Sequence, residues 1–164
     1  MTGFRSIIPT LLLMGSLHGV SADEAARIAE LDAYWAEVSR TVKEGDFKGY
    51  KATCHQKGVL VTGLGQRSYP LADALARWKS DFDATKAGKK KAGVVFRFSQ
   101  RLGDATTAHE TGIFLYESTD DEGKPIKDYI HFEGLLLKED GWKIIMEYQK
   151  SRATEKEWEA LKDK

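Results

Sequence analysis

The stretch Asp128 to Ser151, DYIHFEGLLLKEDGWKIIMEYQKS, constrains the fold of this chain more than any other. It reads as two long strands joined by the tight turn Lys138-Glu139-Asp140-Gly141. Strand side chains alternate with a period of two. One face of the first strand therefore carries Tyr129, His131, Glu133, Leu135 and Leu137, and one face of the second carries Trp142, Ile144, Met146 and Tyr148. A face that mixes large apolar groups with a histidine and a glutamate suits the wall of a pocket better than a plain core. The rest of the chain has to cover this hairpin.

The preceding residues supply that cover. From Asp23 to about Gly45, Ile28, Leu31, Trp35, Val38 and Val42 recur at alternating steps of three and four, the period of an amphipathic helix; Asp23 and Glu24 favour its start and Gly45 its stop. Asp46 can cap a second helix carrying Phe47, Tyr50 and Cys54 and ending around Gln56 to Gly58. Val59-Leu60-Val61-Thr62, between Gly58 and Gly63, reads as a short strand, and Pro70 opens a third helix with Leu71, Leu75, Trp78 and Phe82 on one face. After Gly93 the period changes to two. Val94 to Gln100 and Thr106 to Ser118 are strands turned at Gly103-Asp104 and at Asp120 to Gly123, so that with the hairpin they form an antiparallel meander. Thr154-Glu155-Lys156-Glu157 is a capping-box pattern starting a short helix whose Trp158 and Leu161 dock on the domain. Helices first and strands later predict an α+β domain: helices packed on a curved antiparallel β-sheet, forming a cone with an internal pocket. Trp35 would close that pocket and the hairpin would floor it.

Met1 to Ala22 has the layout of a secretory signal: Arg5, an apolar run from Ile7 to Met14, then small residues ending Val20-Ser21-Ala22. The expected mature start is Asp23, with residues 23–164 as a single domain, exported to the periplasm or the cell exterior. The apolar run is well short of the ~20 residues needed to span a bilayer, so no membrane span is expected in the mature chain. Twenty-five basic and 25 acidic residues leave no net field to recruit nucleic acid or an anionic membrane. Lys86, Lys89, Lys90 and Lys91 form a basic loop with no interleaved aromatic residue, the pattern of a solvated turn rather than of a nucleic-acid site. Arg97 is expected on a solvated strand face. Cys54 is the only cysteine, so no intramolecular disulfide can form, and it reads as a small buried hydrophobe.

Three segments carry a resemblance to a known family: Leu31-Asp32-Ala33-Tyr34-Trp35 leading to Gly45-Asp46-Phe47; Ala108-His109-Glu110-Thr111-Gly112; and Glu139-Asp140-Gly141-Trp142-Lys143-Ile144-Ile145 followed by Ser151. In this order and spacing the chain resembles the nuclear transport factor 2-like superfamily, and within it the small exported proteins with a SnoaL-like domain, over nearly the whole mature region. The resemblance implies a cone with an internal pocket and often a homodimer formed through the outer sheet face. It implies functions spread among binding modules, isomerases, cyclases, dehydratases and epoxide hydrolases, and fold alone does not choose among them. Laid along the chain from Gly45-Asp46 without gaps, the catalytic aspartate of ketosteroid isomerase falls on Thr62 and its helix-one tyrosine on Val38. A threonine hydroxyl cannot serve as a general base near neutral pH, and a valine cannot donate to an oxyanion. The second oxyanion-hole carboxyl, laid back from Gly141, falls on Glu133. Steroid isomerisation is therefore not expected, and Glu133 is the residue the resemblance places in the pocket.

His131 and Glu133, two apart on a strand, point the same way, so one could act as base while the other orients it. In an apolar pocket, desolvation would raise the glutamate pKa and lower that of the histidine. A register shifted by one residue would instead leave both on the outer face, in solvent. Trp35, His109, Thr111, Tyr129, Met146 and Tyr148 are the expected ligand contacts. His109 could complete a His, His, Glu set, but His109-x-Thr111 has no metal-ligand spacing of its own, and neither a metal nor a cofactor is expected. Three readings follow: an exported domain that binds a small, partly apolar molecule; a lyase, isomerase or hydrolase using His131 and Glu133; or an interaction module that dimerises through an outer apolar patch of Ile130, Phe132 and Leu136.

Overall fold

The structure, a computed structural model, describes residues 21–162 apart from Asp121. Residues 1–20 of the expected export signal lie outside the described residues. Helix α1 (Ala22–Glu44) buries Leu31, Trp35, Val38 and Val42, the stripe its spacing predicts, and begins where the Ser21 hydroxyl accepts the Glu24 N–H at 3.1 Å. It stops at Gly45, in the left-handed region at φ 66°. Helix α2 (Phe47–Thr53) follows at once, with Asp46 accepting the Gly49 N–H at 2.9 Å. α2 is shorter than its sequence pattern predicts. Cys54 already pairs with Ile144, so β1 (Cys54–Thr62) starts two to four residues before the expected helix end, because sheet pairing overrides local helix preference.

A further strand, β2 (Arg67–Pro70), turns back on β1, and Pro70 then caps α3 (Leu71–Lys86). β3 (Ala92–Gly103), β4 (Thr107–Thr119), β5 (Pro125–Glu139) and β6 (Gly141–Arg152) form the expected antiparallel meander, and α4 (Glu155–Glu159) ends the described chain with its capping box intact. The sheet runs β2-β1-β6-β5-β4-β3, with β1 beside β6 in parallel. That parallel pairing spans most of the chain and has no local signature in the sequence. The result is an α+β fold, with α1, α2 and α3 on the concave face of a curved, unclosed sheet.

The core lies between α1 and that face: Leu31, Trp35 and Val38 meet Phe132, Leu136 and Ile144. Each such large apolar side chain contributes about 1.5–3 kcal/mol on leaving water. α1 is also pinned by a buried charge. Glu110 is fully buried; its Oε2 accepts Trp35 Nε1–H at 2.9 Å, and the Arg101 guanidinium donates to it at 2.8–3.1 Å while also reaching Asp32 at 2.5 Å. Every oxygen of this carboxylate is satisfied, which is the condition under which a buried ion is tolerated. On the convex face, Trp158 of α4 packs on Ile113 and Leu115. Arg97 is not free in solvent as its strand position suggests. Its guanidinium stacks 4.0 Å from the Trp158 ring and donates to the Trp158 carbonyl at 2.7 Å.

Candidate functional site

The helices do not fill the concavity. A cavity of about 440 Å³ remains, walled by Trp35 and Val38 of α1, Trp78 and Phe82 of α3, and Phe114 and Phe132 of the sheet. Two backbone features decide what else faces it. On β5, Ile130, Phe132 and Leu136 are buried and point inward, so the alternate set Tyr129, His131, Glu133, Leu135 and Leu137 points outward. On β6, Leu136 lies opposite Ile144 but Leu135 lies opposite Met146, so Ile145 is an extra residue, a β-bulge. Trp142 and Ile144 face in before the bulge; after it, alternation is reversed. Met146 and Tyr148 turn out, and Glu147 and Gln149 turn into the cavity.

Glu147 is the polar centre of this space. Its Oε1 accepts Gln149 Nε2–H at 2.7 Å, and among the described residues no lysine, arginine or histidine pairs with it. Burial pushes its carboxyl above the usual range, opposed by the Gln149 hydrogen bond. Tyr34, Tyr50 and Cys54 line the same end. Burial, with the Glu147 charge adding to it, raises both phenols well above their ordinary value and pushes the Cys54 thiol up to about 12. All three stay protonated at neutral pH, and Tyr34 donates to the Thr53 carbonyl at 3.2 Å. At the rim, charges are matched: Asp128 with Arg152 at 3.2 Å and Asp81 with Lys90 at 2.8 Å. Inside, Glu147 has no counter-charge among the described residues.

The sequence-predicted residues divide unevenly. Trp35 lines the cavity, with its indole N–H turned away to Glu110. His109, Thr111, Tyr129, His131, Glu133, Met146 and Tyr148 do not: β4 and β5 place the first five on the convex face, and the β6 bulge sends the last two there. Nor do His131 and Glu133 pair with each other. Glu133 is held by Lys150 at 2.6 Å and His109 at 3.2 Å, and His131 meets Glu157 of α4 at 3.3 Å. Lys150 foremost keeps the Glu133 carboxyl below the usual range, the reverse of what an apolar pocket would do. A molecule in the cavity is out of reach of both. The apolar patch expected outside, Ile130, Phe132 and Leu136, is in the core instead. The physical reason is that the inward side of β5 is the one with no ionisable group in its middle, and burial selects it. Cys54, expected as a small buried hydrophobe, and Tyr116 also line the cavity. The sequence reasoning missed Glu147, Gln149, Tyr34 and Tyr50. The signal available was a lone acid inside the apolar run Ile144-Ile145-Met146-Glu147-Tyr148, where strict alternation with Trp142 and Ile144 points it outward.

No protein-family model and no curated protein matches the sequence. Solved structures do match its shape. A conserved protein from Planctomyces limnophilus superposes with a TM-score of 0.65 at 11% identity, covering 76% of this chain and 94% of that one. An NTF-2 like protein of unknown function from Shewanella oneidensis gives 0.58 at 13% identity over 74% and 97% of the two chains, and a ketosteroid isomerase-like protein from Erwinia carotovora atroseptica gives 0.51 at 19% identity over 84% and 98%. The chain has the nuclear transport factor 2-like fold. At these identities the likeness concerns the fold alone.

Proposed function

We propose that this is an exported protein that binds a small, partly apolar molecule inside the cone, with the aromatic wall burying the body of the ligand and Glu147 orienting it. The observation that carries the reading is the Glu147 carboxylate: a polar group without a counter-charge among the described residues, in the wall of an aromatic cavity of about 440 Å³. That volume lies in the range of ligand pockets, ~300–1,000 Å³, and a few polar groups in an apolar lining are what fix a ligand's orientation. A thermal-shift screen of small metabolites on the purified protein tests it. A true ligand stabilises wild type and Glu133→Gln alike, by ~2.7 kcal/mol at a hundredfold excess over Kd, and stabilises Glu147→Gln less. A ligand whose effect is lost with Glu133→Gln and kept with Glu147→Gln would place the site on the other face and end this reading. Export is tested by following the full chain, with and without residues 1–22, between cell fractions.

A second reading concerns the convex face and is compatible with the first. Val59, Met146, Leu135, His109 and Leu102 lie side by side across five strands, with Val59, Leu135 and Leu102 at least 37% exposed, while α4 covers only the end near Ile113 and Leu115. An uncovered apolar row of this kind favours a homodimer through the outer sheet face, in which a two-fold axis would lay the row on its copy. Sedimentation equilibrium should give a dimer for wild type and a monomer for Leu135→Lys. A monomeric wild type at high micromolar concentration would remove this reading.

A further inference from the structure

The choice of molecule is made at the end of the cavity where Glu147 stands, and the following rests on the cavity being the binding site. We infer that the cone selects a protonated amine carried on an aromatic or aliphatic body, with the ammonium group seated at the Glu147 carboxylate beside Tyr34 and Tyr50. The charge inventory of the wall leads there. Among the described residues that line the cavity, the acidic ones are Asp81, Asp128 and Glu147, and the only basic one is Arg152. Arg152 is spent on Asp128 at the rim, and Asp81 is matched by Lys90 from outside the lining. What remains is one carboxylate with a single amide donor, Gln149 Nε2 at 2.7 Å, and its second oxygen has no protein donor among the described residues.

Each ligand charge meets a different fate in that setting. An anion would set like charge against Glu147 and, at that end, would find no cation to receive it. A neutral apolar molecule would strip the remaining water from the carboxylate and leave the charge unpaired, which is costly. A hydroxyl would return one neutral hydrogen bond. An ammonium group returns a charge-assisted hydrogen bond and the ion pair that the partly buried carboxylate lacks. The wall reinforces the choice, because aromatic rings present negative faces to a cation, and Tyr34, Tyr50, Trp35 and Phe132 all contribute to this lining. Tyr34, Tyr50 and Cys54 do not compete for the cation as anions, since burial holds each of them protonated.

A matched series separates this inference from the binding reading beneath it. Phenylbutylamine, phenylbutanol and phenylbutyrate share a body and differ in the head group; their affinities are measured by titration calorimetry at neutral pH for wild type, Glu147→Gln and, as a convex-face control, Glu133→Gln. The amine should bind wild type about tenfold or more tighter than the alcohol, in keeping with charged hydrogen bonds and desolvated cation–π contacts. The carboxylate should bind weakest. Glu147→Gln should erase the preference for the amine while still binding the alcohol, which also shows that the variant is folded, and Glu133→Gln should retain it. If the alcohol binds wild type as tightly as the amine, or if the amine preference survives Glu147→Gln, the cation inference is overturned and the cavity still binds. If none of the three binds wild type, the cavity reading falls with it.

Discussion

Glu147 is a partly buried carboxylate that, among the described residues, has no counter-charge, and its titration follows from that. Its folded pKa lies above that of the unfolded chain, so the native state holds the proton more tightly. Stability contributed by this group is therefore greatest below the unfolded value near 4.5, falls as pH rises from there through the folded pKa, and stays at the lower level beyond it. Glu147→Gln keeps the shape and removes the charge. Its melting temperature should exceed that of wild type at neutral pH, with the gap closing below pH ~4; parallel pH profiles for the two proteins would show that Glu147 is solvated after all. Tyr34, Tyr50 and Cys54, the other titratable groups at that end, stay protonated across this window and do not blur the comparison. Glu133 offers the contrast. It is a partly exposed, paired carboxylate, and Glu133→Gln should cost no more than ~1 kcal/mol, as surface ion pairs do.

Among the contacts that hold α1, two of different kinds each make a separate prediction. The elbow between α1 and α2 rests on Gly45, whose φ of 66° suits glycine and where a Cβ would come within 2.4 Å of the Lys86 amide nitrogen and 2.5 Å of the Phe82 carbonyl oxygen. Gly45→Ala should thus destabilise the protein by more than ~1 kcal/mol in urea unfolding. The middle of the helix hangs on Glu110. Glu110→Ala would leave Trp35 Nε1–H without its acceptor and strip the Arg101 guanidinium of its buried partner, leaving it only the exposed Asp32, a loss of about 3–5 kcal/mol, and Glu110→Gln, which preserves an acceptor, should fall between. A cost near zero for Glu110→Ala would mean that water reaches this network. Helix α4 is the counterpart on the convex face: Trp158 is 4% exposed, and Trp158→Ala should cost ~3–5 kcal/mol, as removal of a buried tryptophan does.

At the scale of the whole molecule, the same sheet serves two surfaces with opposite chemistry. Among the described residues, the concave side is aromatic and holds one acid without a counter-charge, Glu147; the convex side carries an exposed apolar row together with the Lys150, Glu133 and His109 cluster. Ligand binding and self-association should therefore be separable. Leu135→Lys should shift sedimentation toward the monomer and leave amine affinity unchanged, whereas Glu147→Gln should do the reverse. A Leu135→Lys protein that also loses the ligand would show that the two faces are coupled through the strands between them.

Apart from β2, the elements and their order were legible in the sequence because local physics sets them: the three-and-four spacing of Leu31, Trp35 and Val38, the Asp46 and Thr154 caps, the stop at Gly45, and the turns at Gly103, Gly123 and Gly141 each act within a few residues. The meander followed from short turns between period-two runs. What depended on contacts between distant residues was not legible. The parallel seating of β1 beside β6 joins segments far apart in the chain, and it shortened α2. The face of β5 that became the interior was decided by competition for burial across the assembled sheet, where Ile130, Phe132 and Leu136 prevailed over a side broken by His131 and Glu133. The bulge at Ile145 has the same origin. One unpaired residue in β6 reversed the alternation behind it, turned Met146 and Tyr148 outward, and brought Glu147 into the cavity. Period-two alternation is a local rule, and only tertiary pairing decides where it slips.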